Sequence, residues 1–101
     1  MDNRLDLQAT LENLLGSKNV YFQPPESVRM SYPAIVYSLD NIENRHANDS
    51  VYHTRDRYSV TYITQNPDDQ AIRVIASMPL CRFDRHYKSD NLNHYIYTIY
   101  F

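Results

Sequence analysis

Two stretches, Tyr32-Pro33-Ala34-Ile35-Val36-Tyr37-Ser38-Leu39 and Arg57-Tyr58-Ser59-Val60-Thr61-Tyr62-Ile63-Thr64, decide how this chain folds. In the first, Ile35, Tyr37 and Leu39 fall on one face of an extended segment and Ala34, Val36 and Ser38 on the other. Both faces are largely apolar, and the β-branched and aromatic residues suit a pleated, half-buried surface better than a helix. Pro33 fits only at the start of such a strand, where its missing N–H removes no ladder bond. The two stretches are predicted to pair at the centre of a sheet.

Upstream, Leu7, Leu11, Leu14 and Leu15 stand at i, i+4, i+7 and i+8, which predicts a one-sided helix over residues 4–15. Asp2 or Asn3 is placed to cap it, and Gly16, the single glycine of the chain, stands where a left-handed residue ends a helix. Val20-Tyr21-Phe22 reads as a short strand, stopped by Pro24-Pro25, with a loop from Glu26 to Ser31 before the central strand.

Downstream, the polar run from Asp40 to Ser50 reads as a long hairpin connection whose ends extend the flanking strands as an arm, with a turn at Asn48-Asp49-Ser50. A second helix is predicted to begin at Asn66-Pro67-Asp68-Asp69, with Asn66 as cap and Pro67 as first helical residue, and to stop at Pro79 near Met78. Its apolar stripe is Ile72, Ile75 and Ala76. Leu80 to Tyr87 and Leu92 to Phe101 form a final hairpin around Lys88-Ser89-Asp90-Asn91. The expected fold is α+β in the order α-β-β-β-α-β-β: a mixed or antiparallel β-sheet of four to five strands, with two helices packed on one face because no other apolar surface is offered to them.

At 101 residues the chain is one domain, spanning 1–101. Its net charge of −2, with both signs interspersed, provides no basic stripe for a long phosphate footprint, which argues against tight direct DNA binding. No apolar run approaches the roughly 18 residues of a membrane span, and Met1-Asp2-Asn3-Arg4 is not followed by a signal-type apolar region. The reading is therefore of a protein made inside the cell and not inserted in a membrane. A single cysteine, Cys81, excludes an internal disulfide and a cysteine-based zinc site. The ten tyrosines suit core margins and protein interfaces alike.

The one constellation suggesting chemistry is Asp84 and His86, two apart on one strand face, with His94 on the adjoining strand; such a group can ligate a metal or move protons. Against it, Arg82 and Arg85 stand ready to pair with Asp84, and no zinc-protease, phosphate-loop or nucleophile-elbow motif is present. His46 and His53 fall in the polar connection, and Cys81 has no activating neighbour in sequence. No catalytic, cofactor-binding or metal residue is assigned, and a small metal-dependent enzyme built on Asp84, His86 and His94 stands as the alternative of another class.

The order of elements, the Ser31-Tyr32-Pro33-Ala34-Ile35-Val36-Tyr37 approach to the central strand, the long arm and the Tyr97-Thr98-Ile99-Tyr100 ending resemble tail-terminator, or tail-completion, proteins of long-tailed phages, the minor tail protein U family. The likeness covers most of the chain. Tyr21-Phe22-Gln23-Pro24-Pro25-Glu26-Ser27 with Tyr32-Pro33, and Cys81-Arg82-Phe83-Asp84-Arg85 through Asp90-Asn91-Leu92-Asn93-His94-Tyr95, are similar to small neck and tail proteins of phages and prophages of Gram-positive bacteria.

The resemblance implies a virion structural protein of the neck, without cofactor. It would form a ring, usually a hexamer, that caps the tail tube, ends its polymerisation and serves head-tail joining. The implied partners are further copies of the chain, the major tail-tube protein and head-tail connector or adaptor proteins, with DNA passing the lumen without specific binding. A head-completion or adaptor protein of the same joint is the alternative within phage assembly. Subunits are expected to meet head to tail through exposed strand edges and through Tyr95, Tyr97 and Tyr100. The arm, residues 40–56, is expected to become ordered against a partner, with Arg45, Arg55 and Arg57 as charged contacts and Ile42, Val51 and Tyr52 as apolar anchors.

Overall fold

Seven elements follow one another as α1 (Arg4–Leu15), β1 (Val20–Phe22), β2 (Ala34–Ala47), β3 (Ser50–Thr64), α2 (Ala71–Ala76), β4 (Cys81–Ser89) and β5 (Leu92–Tyr100). A computed structural model describes the backbone of residues 4–47 and 50–101 and the side chains of residues 4–42 and 56–101. Asp2 and Asn3, expected to cap α1, and Asn48 and Asp49 of the expected turn lie outside the described residues, as do the side chains of His46 and His53. The five strands form one sheet in the order β1-β2-β3-β5-β4. β1 runs parallel to β2 and the other pairings are antiparallel, so the fold is α+β with a mixed sheet.

The register explains the core. Ile35 stands beside Tyr62, and Tyr62 beside Tyr95; Tyr37 stands beside Val60, and Val60 beside Tyr97; Tyr58 stands beside Ile99. These side chains share one face of the sheet, and Leu7 and Leu11 of α1 and Ile75 of α2 close over them. Each such burial contributes about 1.5–3 kcal/mol. Leu14 and Leu15 pack at the margin, as the leucine spacing predicts. Gly16 ends α1 with φ +77°, and its N–H reaches the Glu12 carbonyl at 2.9 Å. A side chain there would be strained by the left-handed backbone even though nothing stands within 4 Å of the added carbon.

Five of the ten tyrosines, Tyr37, Tyr58, Tyr62, Tyr95 and Tyr97, belong to this core. A buried phenol costs free energy unless its hydroxyl finds a partner. Tyr37 donates to Gln8 Oε1, Tyr62 to Asp69 Oδ2, Tyr97 to the Ile72 carbonyl and Tyr58 to Asp56 Oδ2. Among the described residues no buried side-chain polar atom lacks a partner.

One expectation about the helices is corrected. α2 begins at Ala71, a turn later than Asn66 and Pro67 predict. Asn66 instead organises the preceding turn, its Oδ1 accepting the Asp68 N–H at 3.0 Å. Asp69 takes the Ala71 N–H on Oδ1 while its Oδ2 is held by Tyr62 and by the Thr64 hydroxyl, so the helix starts only where the sheet releases the chain.

The polar connection after Leu39 extends the flanking strands as an arm, as expected. It is ladder almost to its end, with β2 and β3 paired as far as Ala47 and Ser50 and register shifts between Leu39 and Asn41 and between Arg45 and His46. Seven register pairs, those of Asn41 to Ala47, carry this polar run, so the alternation its sequence lacks is supplied by backbone pairing. The final hairpin turns more tightly than expected, through Asp90 and Asn91 alone. Both have positive φ, 53° and 63°, the pair of values a two-residue primed turn demands and that Asp and Asn tolerate.

Candidate interaction surface

The helices do not cover the whole sheet. α2 has six residues, too few to shield the far edge, and along β4 every residue except Cys81 is exposed. Phe83 projects on the helix side, 48% exposed, its ring edge-on to Tyr97 at 5.5 Å. Between it and α2 runs a groove of about 250 Å³ lined by Ile72, Arg73, Ala76, Phe83, Tyr95 and Tyr97. The groove is apolar except for Arg73 and the phenol tips, which suits a side chain of a partner better than a charged ligand.

A register shift between Phe83 and Arg85 resets the alternation of β4. Asp84 therefore faces the side away from the helices, where it accepts from Thr98 Oγ1 at 2.6 Å and from Arg82 Nε at 3.3 Å. His86 faces the helix side, stacked on Tyr95 at 4.5 Å with Nε2 3.0 Å from Asn93 Oδ1. His94 faces away from the helices, stacked on Tyr87 at 4.6 Å, its Nδ1 3.1 Å from the Leu92 carbonyl. The expectation that Asp84 and His86 share one face is thus corrected, because a bulge inserts one residue and flips the side chains beyond it. The three side chains do not converge. Among the described residues no group of three or more His, Cys, Asp or Glu side chains is placed to hold a metal ion. Burial, with the charge of Asp84 nearby, pushes the Cys81 thiol up to about 11, the opposite of an activated nucleophile.

The residues expected to make contacts divide into three groups. Tyr95 and Tyr97, 8% and 0% exposed, are core side chains rather than surface ones, a correction that comes from their register beside Tyr62 and Val60. Tyr100 is half-buried on the opposite face, and Arg57 beside it donates from Nε to Asp40 Oδ2 at 2.8 Å. The Tyr100 phenol and the Asp40 carboxylate hold the Arg57 pKa above its ordinary value. Ile42 is exposed near the base of the arm. The side chains of Arg45, Val51, Tyr52 and Arg55 lie outside the described residues.

The sequence reading missed Leu39, 41% exposed, and Phe83 as surface apolar side chains. A signal for Phe83 existed: Arg82, Asp84, Arg85, His86 and Lys88 surround it, a density of charge that marks an uncovered edge strand. No helix of the described residues is long and apolar enough to cross a membrane. No protein family, curated protein or solved structure matches the chain.

Proposed function

We propose that this chain is a structural protein of the neck of a long-tailed phage or prophage. In this reading it forms a ring, of six copies, that caps the tail tube, ends its polymerisation and joins the tail to the head. The support is the arm: residues 43–47 and 50–55 pair with each other beyond Arg57, the last residue of β3 on a rung with β5, and the molecule measures 51 × 27 × 23 Å. A two-stranded ladder by itself is marginally stable in water, so the use of this projection lies in what it touches. The sequence resemblance names those partners as neighbouring copies and the tail-tube protein.

An adaptor on the head side of the same joint would use the same features. The enzyme alternative is weaker, since Asp84 and His86 point to opposite faces. The test is replacement of Glu43 to Ser50 by an Asn-Gly turn, followed by imaging of assembled tails. The shortened protein is expected to fold and to fail in termination or head joining; tails of normal length that join heads would overturn the role of the arm. Stoichiometric zinc or manganese in the purified protein, lost on Asp84→Ala or His86→Ala, would overturn the structural reading in favour of the enzyme.

A further inference from the structure

We infer that copies of this chain join edge to edge, the free edge of β4 of one pairing antiparallel with the free outer edge of β2, residues 40–47, of the next. The inference deepens the ring reading and rests on it for the closure of the assembly.

The two edges are the unpaired margins of one sheet. β4 is the terminal strand on one side, nine residues long. On the other side β1 covers only Ile35 to Tyr37, Gln23 reaches the Leu39 N–H with its side chain, and from Asp40 to Ala47 β2 has β3 as its only strand partner among the described residues. Two exposed ladders of similar length invite pairing.

Strand direction permits it. β2, β3, β5 and β4 alternate in direction along the sheet, so β2 and β4 run opposite ways. Copies related by rotation about an axis along the strands keep those directions, and β4 then meets the next β2 antiparallel, the pairing that is slightly more stable per residue.

Charge selects this pairing over its rival. Two β4 strands related by a two-fold axis would also run antiparallel, but each carries Arg82, Arg85 and Lys88 against a single Asp84. Like charges facing across a pair repel. The free segment of β2 carries Asp40, itself paired with Arg57, and Glu43 against Arg45, so it lacks the excess positive charge of β4. β4 edges repel each other and the β2 edge does not repel them, which favours head-to-tail association and discourages an isologous dimer.

The apolar groups also lie on one side of the sheet. Leu39 stands beside Tyr58 and Ile42 beside Asp56, which puts both on the helix side of the sheet across the register shift, and they are 41% and 51% exposed. Phe83 and its groove lie on the same side of β4. In a continuous sheet with residues 40–47 lying antiparallel along β4, Ile42 of one copy falls across from His86 of the next, one helix-side position from Phe83.

The experiment is charge reversal with rescue, read as molar mass by sedimentation over a range of concentrations. The native chain is expected to form a closed oligomer. Arg85→Glu with Lys88→Glu, two exposed positions, should weaken association roughly hundredfold while far-UV circular dichroism stays unchanged. Adding Asn41→Lys and Glu43→Lys to the same chain should restore it. An oligomer indifferent to the reversal, or a reversal that the second pair does not rescue, overturns the edge pairing and leaves the ring standing. A native chain that is monomeric at every concentration and on tail tubes overturns both.

Discussion

β2 and β3 each live two lives. From Ala34 to Leu39 and from Tyr58 to Thr64 they are the middle of a five-stranded sheet with helices above, and Ile35, Tyr37, Val60 and Tyr62 are almost without solvent exposure. Beyond Asn41 and before Asp56 the same two strands keep their ladder with no third strand among the described residues. The hydrogen-bond pattern is continuous and the energetics are not. A backbone hydrogen bond exchanged for one with water contributes only about 0.5–1.5 kcal/mol net, whereas the body adds apolar burial at every other residue. Stability therefore resides in the body, and the arm is free to be spent on contacts.

The most forceful way to break the body is alkali. Burial raises the pKa of Tyr62, with Asp69 adding to it, and burial likewise raises that of Tyr97. A folded-state pKa above the unfolded value means the native protein holds its phenol protons more tightly than the unfolded chain. Stability is then fully present below the unfolded tyrosine pKa of about 10 and falls as pH rises above it. Thermal unfolding followed from neutral pH upward should show a steady midpoint and then a fall above about pH 10. A midpoint that stays level there would mean these phenols ionise within the fold.

Next in size is Leu11→Ala, which empties a fully buried site between α1 and the sheet and should cost about 2–5 kcal/mol in denaturant unfolding. Asp69→Ala should cost less, about 1–3 kcal/mol, because it leaves the Tyr62 hydroxyl and the Ala71 N–H without their acceptor. Its amide-exchange signature should be local, a loss of protection in α2 before the sheet. The smallest effect belongs to the arm: the Asn-Gly replacement of residues 43–50 should change stability by less than about 1 kcal/mol, since every core residue among those described lies outside it. A larger loss would show that the arm stabilises the body and that the two are not energetically separate.

Cys81 gives a separate check on the uncovered edge. With its thiol pushed up to about 11, it should react with a disulfide reagent at pH 8 far more slowly than an unstructured cysteine, and at the free rate once the chain is denatured. Fast reaction in the native state would mean that the β4 edge opens readily.

The residues by themselves determined whatever short-range physics controls. The leucine spacing fixed α1 from Arg4 to Leu15, Gly16 its end, and the apolar and aromatic runs the two central strands, because periodicity and backbone preference are local properties. Length and the one-sided helices fixed the class of fold. Tertiary structure decided what local rules cannot weigh. Asp69 delayed α2 because Tyr62 and Thr64, distant in kind from any cap, claimed its carboxylate. Backbone pairing carried a polar run far along the arm where side chains gave no alternation to read. A single bulge after Phe83 parted Asp84 from His86, and register beside Tyr62 and Val60 drew Tyr95 and Tyr97 into the core, because which face a strand residue takes depends on the count of residues between rungs and on the neighbour across the sheet.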